Sequence, residues 1–353
     1  MAYTLLVVIV VFYAERKLAA FIQDRLGPVE VGKFGTLQPL ADLLKMLQKE
    51  DIVPNSANSF LFKLSPLFIF LVVFAGFAFI PLAPGIVPLF SGVGIYFCLT
   101  IISLDVIGLL MAGWATDNKF ALLGAMRSVA QIISYEIPVG ITVLTAIVLS
   151  NSMDLEFIGR DQTIWAEGPK WLFGIQSFGI DVTSWGGIFS WNVFQSPLMF
   201  VVYLLFYIST LAECNRAPFD LPEAESELVA GYHAEYSGIR FGIFFLAEYA
   251  MMILVSLLGA ILFLGAWATP LPNIGPLHLA TWTSGTLGEW TSMAWGIFWV
   301  TLKTIIPCFV MIWIRWTFPR LRTDQLMYLC WKVLIPISLV CFLLVTSQKL
   351  LGL

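Results

Sequence analysis

Between Ala212 and Arg240 the chain reads AECNRAPFDLPEAESELVAGYHAEYSGIR. Glu213, Asp220, Glu223, Glu225, Glu227 and Glu235 share this stretch with Arg216 and Arg240. Carboxyls crowded into a poorly solvated place disfavour one another's ionised forms, by desolvation and by mutual repulsion. Such a group holds and releases protons collectively, and no single residue owns a titration step. The segment DLPEAESEL also reads as a helix start, with Asp220 near the cap, Pro222 in the first turn and acids just beyond. The helix dipole favours acids there. That accounts structurally for Glu223 and Glu225. It does not account for Glu227, one turn past Glu223 on the same face, or for Glu213 at the end of the preceding apolar run. The chemistry this cluster suits is proton holding beside an arginine-bearing cavity.

Four more ionisable residues fall inside apolar runs: Asp105, Glu136 (just after Tyr135), Glu248 and Lys303. A charge near a bilayer centre costs about 2.5–3.5 kcal/mol, so each requires a partner, water or a function. Two readings are open. Lys303 could pair with Asp105 or Glu248 as a structural bridge, or these residues could be polar positions in a proton or ion path. The second is preferred.

The elements that must carry these groups follow from composition. The chain is 59% hydrophobic and 12% charged over 353 residues. Apolar runs of spanning length recur throughout, which predicts an all-α membrane protein with a single polytopic domain over 1–353. Eight spans are expected, near 2–23, 64–84, 93–115, 125–149, 194–213, 240–265, 292–314 and 331–349. The first apolar run stops at Glu15, short of the ~20 residues that a crossing needs. Its helix is therefore expected to continue through the charged ERKLAAFIQDR, or to be the remainder of a longer one. All loop lysines and arginines except Arg160 and Lys170 fall on the odd-numbered loops. The positive-inside rule then puts those loops in the cytoplasm and both termini on the periplasmic side. The loop 15–63 contains TLQPLADLLKMLQKED, with Leu37, Leu40, Leu44 and Leu47 on one side and Asp42, Lys45 and Lys49 largely on the other. This predicts an amphipathic helix in the cytoplasmic interface. It is either an anchor or the wall of a site for a lipid-soluble ligand. The acidic loop 213–240 lies on the same face, and the long loop 150–193 lies on the outer one. No basic stripe suggests nucleic acid. Cys98, Cys214, Cys308, Cys330 and Cys341 form no CxxC pair and read as small apolar fillers. His233 and His278 lie outside the predicted spans, so no haem and no redox centre of the chain's own is expected.

The segments ERKLAAFIQDRLGP, LQPLADLLKMLQKED, AGWATDNKFALLGAMRSVAQIISYE, NRAPFDLPEAESELVAGYHAEYSGIRFG and PRLRTDQLMYLCWK resemble the family of H-type membrane subunits of proton-pumping NADH:quinone oxidoreductase, respiratory complex I. The resemblance runs from about residue 10 to 345 and weakens in the two outer loops. It implies an eight-helix bundle that forms much of a chamber for ubiquinone or menaquinone. NADH, FMN and iron–sulfur clusters would belong to partner subunits. Those partners would be the iron–sulfur and hydrogenase-like quinone-site subunits of the peripheral arm, small membrane subunits and antiporter-like subunits, in a bacterial inner membrane rather than a mitochondrial one. By the family pattern, Glu15, Arg16, Arg25, Asp42, Lys45 and Phe219 would line the quinone chamber. Glu213, Glu223, Glu225 and Glu227 would begin a proton relay that Tyr135, Glu136 and Glu248 continue. Asp105 departs from the family pattern, so a proton role for it, like one for Lys303, rests on its position alone. A related membrane subunit of an energy-converting hydrogenase is the alternative, disfavoured by the complete ERK…DRLGP and APFDLPEAE segments. An ion-coupled transporter is a third reading, and the absence of internal inverted symmetry speaks against it.

Overall fold

The computed structural model describes residues 2–166, 168–174, 181–183, 185–220, 230–273 and 277–351. Among them the regular structure is helical, with only isolated bridges of extended backbone. A helix occupies each of the eight expected positions: α1 (Ala2–Ile22), α3 (Ser59–Gly76), α4 with α5 (Gly94–Ser103, Asp105–Ala115), α6 (Lys119–Ser150), α8 (Pro197–Glu213), α9 (Gly238–Leu262), α10 (Trp290–Thr317) and α11 with α12 (Thr323–Tyr328, Ile335–Leu350). Between them lie α2 (Gln38–Gln48), the predicted amphipathic helix, and α7 (Leu155–Asp161) in the long loop. Six of these stretches are long and apolar enough to cross a membrane. The shorter apolar α8 has 17 residues, and α1 carries Glu15, Arg16 and Lys17 within its 21.

Caps explain where the helices begin. Asn58 accepts from the backbone N–H of Phe60 at 3.2 Å and starts α3 before the expected position, enclosing Lys63. Asn118 accepts from Phe120 at 2.9 Å and starts α6 six residues before the expected 125. An N-cap side chain satisfies an otherwise orphaned donor, so each helix starts at its cap and takes in the charged residue nearby. At the far end of α6, Asn151 takes a left-handed conformation, φ 54°, and stops it. Two helices depart from regularity. The span Gly94–Ala115 breaks at Leu104, immediately before Asp105. The last span contains a π-turn at Leu329–Leu334, joining α11 to α12.

The core is built around α9. Every residue from Tyr249 to Leu262 is buried, as expected of a helix apolar on all sides. It packs against α1, α2, α3, α7, α8 and α10, while α6 packs against α5, α8 and α12. Small residues let these backbones approach closely. A Cβ on Gly113 of α5 would sit 2.3 Å from that of Ala125 on α6, and one on Gly259 would sit 2.9 Å from the Phe206 ring. The outward faces are as apolar as the interior: Phe200 and Leu204 on α8, Phe298 and Ile306 on α10, Leu339, Val340 and Leu343 on α12 are all exposed. Exposed apolar area of this extent belongs in contact with lipid or protein.

Candidate functional site

Chain direction brings the C-terminal ends of α1, α8 and α10 together with the N-terminal part of α9. Here the backbone leaves α8 at Glu213, and Asn215 adopts φ 50°. A tight turn follows, with the Phe219 N–H donating to the Arg216 carbonyl at 2.9 Å. The effect is to fold Arg216 back into the bundle, where it is 3% exposed. Its Nη1 lies 3.2 Å from Glu15 of α1, and its Nε lies 2.9 Å from Glu248 of α9. The guanidinium stacks 4.4 Å from the centroid of Tyr249, whose ring meets Phe12 edge-on at 5.2 Å. Arg315, from the last turn of α10, closes the group with a short contact to Glu15. Two arginines thus face two glutamates, and the buried charges balance. Burial alone would disfavour the Arg216 cation, but Glu248 and then Glu15 hold its proton well above the ordinary arginine range.

Glu248 also belongs to a second group. It lines a cavity with Asp105, Glu213, Cys214, Asn215 and Tyr232. The space left to the centres of water molecules is about 30 Å³, above the ~10–15 Å³ that one water needs. Glu213 is 5% exposed, and both Asp105 and Glu136 lie within electrostatic reach of it. One oxygen each of Asp105 and Glu136 is buried without a hydrogen bond among the described residues. Glu248 is therefore the joint between the ion-paired node and the carboxyl-lined cavity.

Around this pair of groups the chain is pinned by polar contacts. Arg320 reaches Asp220 at 3.2 Å, and the Leu321 N–H donates to the Pro218 carbonyl at 3.0 Å. Gln131 of α6 donates to the Ala212 carbonyl at 2.7 Å and to Asn215 at 3.3 Å. Tyr135 is fully buried, donates to the Leu326 carbonyl at 3.0 Å, and lies 5.6 Å from the Phe219 ring. Asn118 donates to Glu235 at 2.8 Å. Arg240 pairs with Asp51 at 2.6 Å, while Tyr236 stacks on Phe62 at 4.1 Å. Burial pushes the Tyr236 phenol up to about 12.

The structure brings together Glu15, Glu213, Glu248, Asp105 and Glu136, and sets buried Phe219 and Tyr135 beside them. Arg16 pairs with Asp42 of α2 and lies 4.4 Å over Phe12, which ties α2 to the same end of α1. Arg25 and Lys45 are exposed. Glu223, Glu225 and Glu227 lie outside the described residues. Lys303 is not brought to Asp105 or Glu248. It donates to the carbonyls of Ala266 and Ala268 at 2.9 and 2.6 Å and sits 4.2 Å over Trp191. It is twelve residues before Arg315 on one helix, about 18 Å along the axis. Sequence reasoning uses Arg315 only for orientation and passes over Tyr249, Gln131 and Asn118. Tyr249 and Gln131 acquire their partners through tertiary contact, which leaves no local mark, while Asn118 is marked only as a helix cap.

A family model described as NADH dehydrogenase matches residues 1–346. The chain belongs to that family. Its curated relatives are named as H subunits of NADH-quinone oxidoreductase, the family read from the sequence motifs. The H subunit numbered 2 of Cytophaga hutchinsonii is 55% identical over 347 residues, covering 97% of this chain and 94% of the relative. The H subunit of Chlorobaculum parvum is 50% identical over 332 residues, 94% and 85% of the two chains. That of Bacteroides thetaiotaomicron is 42% identical over 347 residues, 98% and 87%. Membership of this family agrees with the apolar helices and with a site assembled where helices meet, rather than in a soluble domain.

Proposed function

We propose that this chain is the membrane subunit of a bacterial complex I that walls much of the quinone chamber and passes the protonation demand of quinone reduction into the membrane. The reading has all eight helical stretches crossing the inner membrane, α2 in the cytoplasmic interface and both termini on the periplasmic side. Converting a quinone to its quinol takes two electrons and two protons. The electrons come from partner subunits that carry FMN and iron–sulfur clusters and are fed by NADH. This chain contributes the greasy passage beside α1, α2 and α9, with Glu15, Arg16, Asp42 and Phe219 along it and Arg25 and Lys45 nearer its mouth. Negative charge arising beside the Arg216 node would compete with Glu15 and Glu248 for the two arginines. Release of Glu248 from Arg216 changes its affinity for a proton, and Glu248 faces the cavity shared with Glu213 and Asp105. Glu136 and Tyr135 continue this path toward antiporter-like subunits, and Glu223, Glu225 and Glu227 lead into it from the loop. Lys303 donates to two backbone carbonyls, which supports leaving it out of the relay in this reading.

The single observation that carries this reading is Glu248, held by a buried arginine on one side and lining an acidic cavity on the other. The test is Glu248→Gln and Glu213→Gln in the intact complex, with quinone reductase activity and proton transfer measured together. Both rates should fall by at least tenfold while the subunits still assemble. Wild-type rates of both processes in both variants would overturn the coupling role.

A further inference from the structure

At the end of the bundle remote from Arg216, the start of α8 meets the ends of α6 and α12 and the loop carrying Lys170. A cavity of about 200 Å³ opens between them, lined by Lys170, Trp171, Gln195, Ser196, Gln348 and Lys349 among others. We propose that this cavity binds a phosphate oxyanion, of the kind carried by an anionic phospholipid headgroup or by inorganic phosphate.

The donors converge on one space. Lys170 gives one hydrogen to Asp161 at 2.6 Å, which leaves two of its three ammonium hydrogens available. Lys349 donates to the Val148 and Leu149 carbonyls at the end of α6 and has one hydrogen left. The two ammonium groups lie within electrostatic reach of each other, with Asp161 the acid facing them both. An anion between them relieves that repulsion. The Gln195 Nε2 is buried and has no hydrogen-bond partner among the described residues. A buried donor left unpaired costs about 1–3 kcal/mol, so the site is incomplete without an acceptor. Gln195 and Ser196 stand at the N-terminus of α8, a helix of 17 residues whose dipole adds positive potential there. Two backbone bonds fix the position of the loop. The Lys170 N–H donates to Thr183 at 2.8 Å, and its carbonyl accepts from Val182 at 2.8 Å. Leu149, Pro169, Trp171 and Val345 form an apolar side to the same cavity, suited to glycerol and acyl carbons. None of these residues takes part in the Arg216 node or the acidic cavity.

The experiment uses the intact purified complex, stripped of loosely held lipid by detergent exchange. Wild type, Lys170→Gln, Gln195→Glu and Lys170→Arg are compared. One arm re-adds phosphatidylglycerol or phosphatidylcholine in mixed micelles and counts retained lipids by native mass spectrometry. The other measures radiolabelled inorganic phosphate by equilibrium dialysis. Loss of one charge-assisted contact should weaken binding roughly tenfold, and Lys170→Arg should restore it. A lipid site shows one phosphatidylglycerol retained by wild type and lost from both Lys170→Gln and Gln195→Glu, with no saturable phosphate binding. A free-phosphate site shows the reverse pattern across the two arms. Equal retention of lipid and equal binding of phosphate in all four proteins would overturn the proposal. Quinone reductase activity is followed alongside, to show that each variant is assembled.

Discussion

At the scale of single residues, Arg216 decides how this site is built. A buried guanidinium between two carboxylates is stable only while both remain, because removing one member of a buried pair leaves an uncompensated charge. Such losses run to about 3–5 kcal/mol. Arg216→Ala should therefore lower the thermal unfolding temperature of the complex in detergent and abolish quinone reduction. Arg216→Lys should rescue stability only in part, since a point ammonium cannot reach Glu15 and Glu248 at once while lying flat on Tyr249. Tyr236 gives a prediction of a different kind. Its phenol keeps its proton up to about 12 in the folded chain, against an ordinary value of 10.0. The folded state binds a proton that the unfolded chain has lost between these values. The resulting stabilisation is complete below pH 10 and fades as pH rises toward 12. Tyr236→Phe removes that group, so alkaline unfolding followed by circular dichroism should depend less steeply on pH above 10. The buried acids of the site could be recognised from their types, since a charge inside an apolar run is conspicuous, whereas Arg315 entered only the count of loop charges. The pairing of acids with arginines could not be recognised. Glu15 and Arg216 stand 201 positions apart, Glu15 and Arg315 stand 300 apart, and a loop reversal that no periodicity marks turns Arg216 inward.

Among the elements, helix positions were legible because a continuous apolar run of spanning length has few other solutions. Their starts were less so. Asn58 and Asn118 extend α3 and α6 through turns carrying Lys63 and Lys119, charges that a hydropathy window counts against a span. The break before Asp105 and the π-turn at Leu329–Leu334 do not show in the hydropathy that locates the spans. The crossing of α5 over α6 depends on glycine. With 2.3 Å between a Cβ on Gly113 and Ala125, Gly113→Val must push the helices apart. Overpacking of this kind costs about 1–3 kcal/mol. The variant should show a lower unfolding temperature, and a simultaneous Ala125→Gly should recover part of it.

Across the whole molecule the two ends of the bundle use charge differently. Around Arg216, acids and bases answer one another. At the opposite end, beside the Lys170–Asp161 pair, most polar side chains serve backbone: Gln162 donates to Ile261 at 2.8 Å and accepts from Asn192 and Gly265, Lys303 takes two carbonyls, and Lys349 takes two more. Helix ends inside a membrane protein need such partners, because each unsatisfied group costs several kcal/mol in hydrocarbon. The two ends should thus fail separately. Lys303→Met should reduce thermal stability by about 1–3 kcal/mol through its abandoned carbonyls, yet leave quinone reduction within about twofold of wild type. A tenfold loss of activity with unchanged stability would return Lys303 to the proton path.

The π-turn in the last span has a geometric consequence of its own. One surplus residue in a helix offsets everything after it by about 100° of rotation. The side of Thr323–Tyr328 that addresses Tyr135 is therefore not the side that would, by plain α-helical phase, continue into Ile335–Leu350. On a plain helix Leu326 and Lys349 would stand about 140° apart around the axis, and the slip brings them to within about 40°, so a single rod meets α6 twice on nearly one side. It touches at Tyr135 and Ser134 through Leu326 and Cys330, and again at Val148 and Leu149 through Lys349. The phase slip at Leu329–Leu334 is what lets both junctions close on one neighbour.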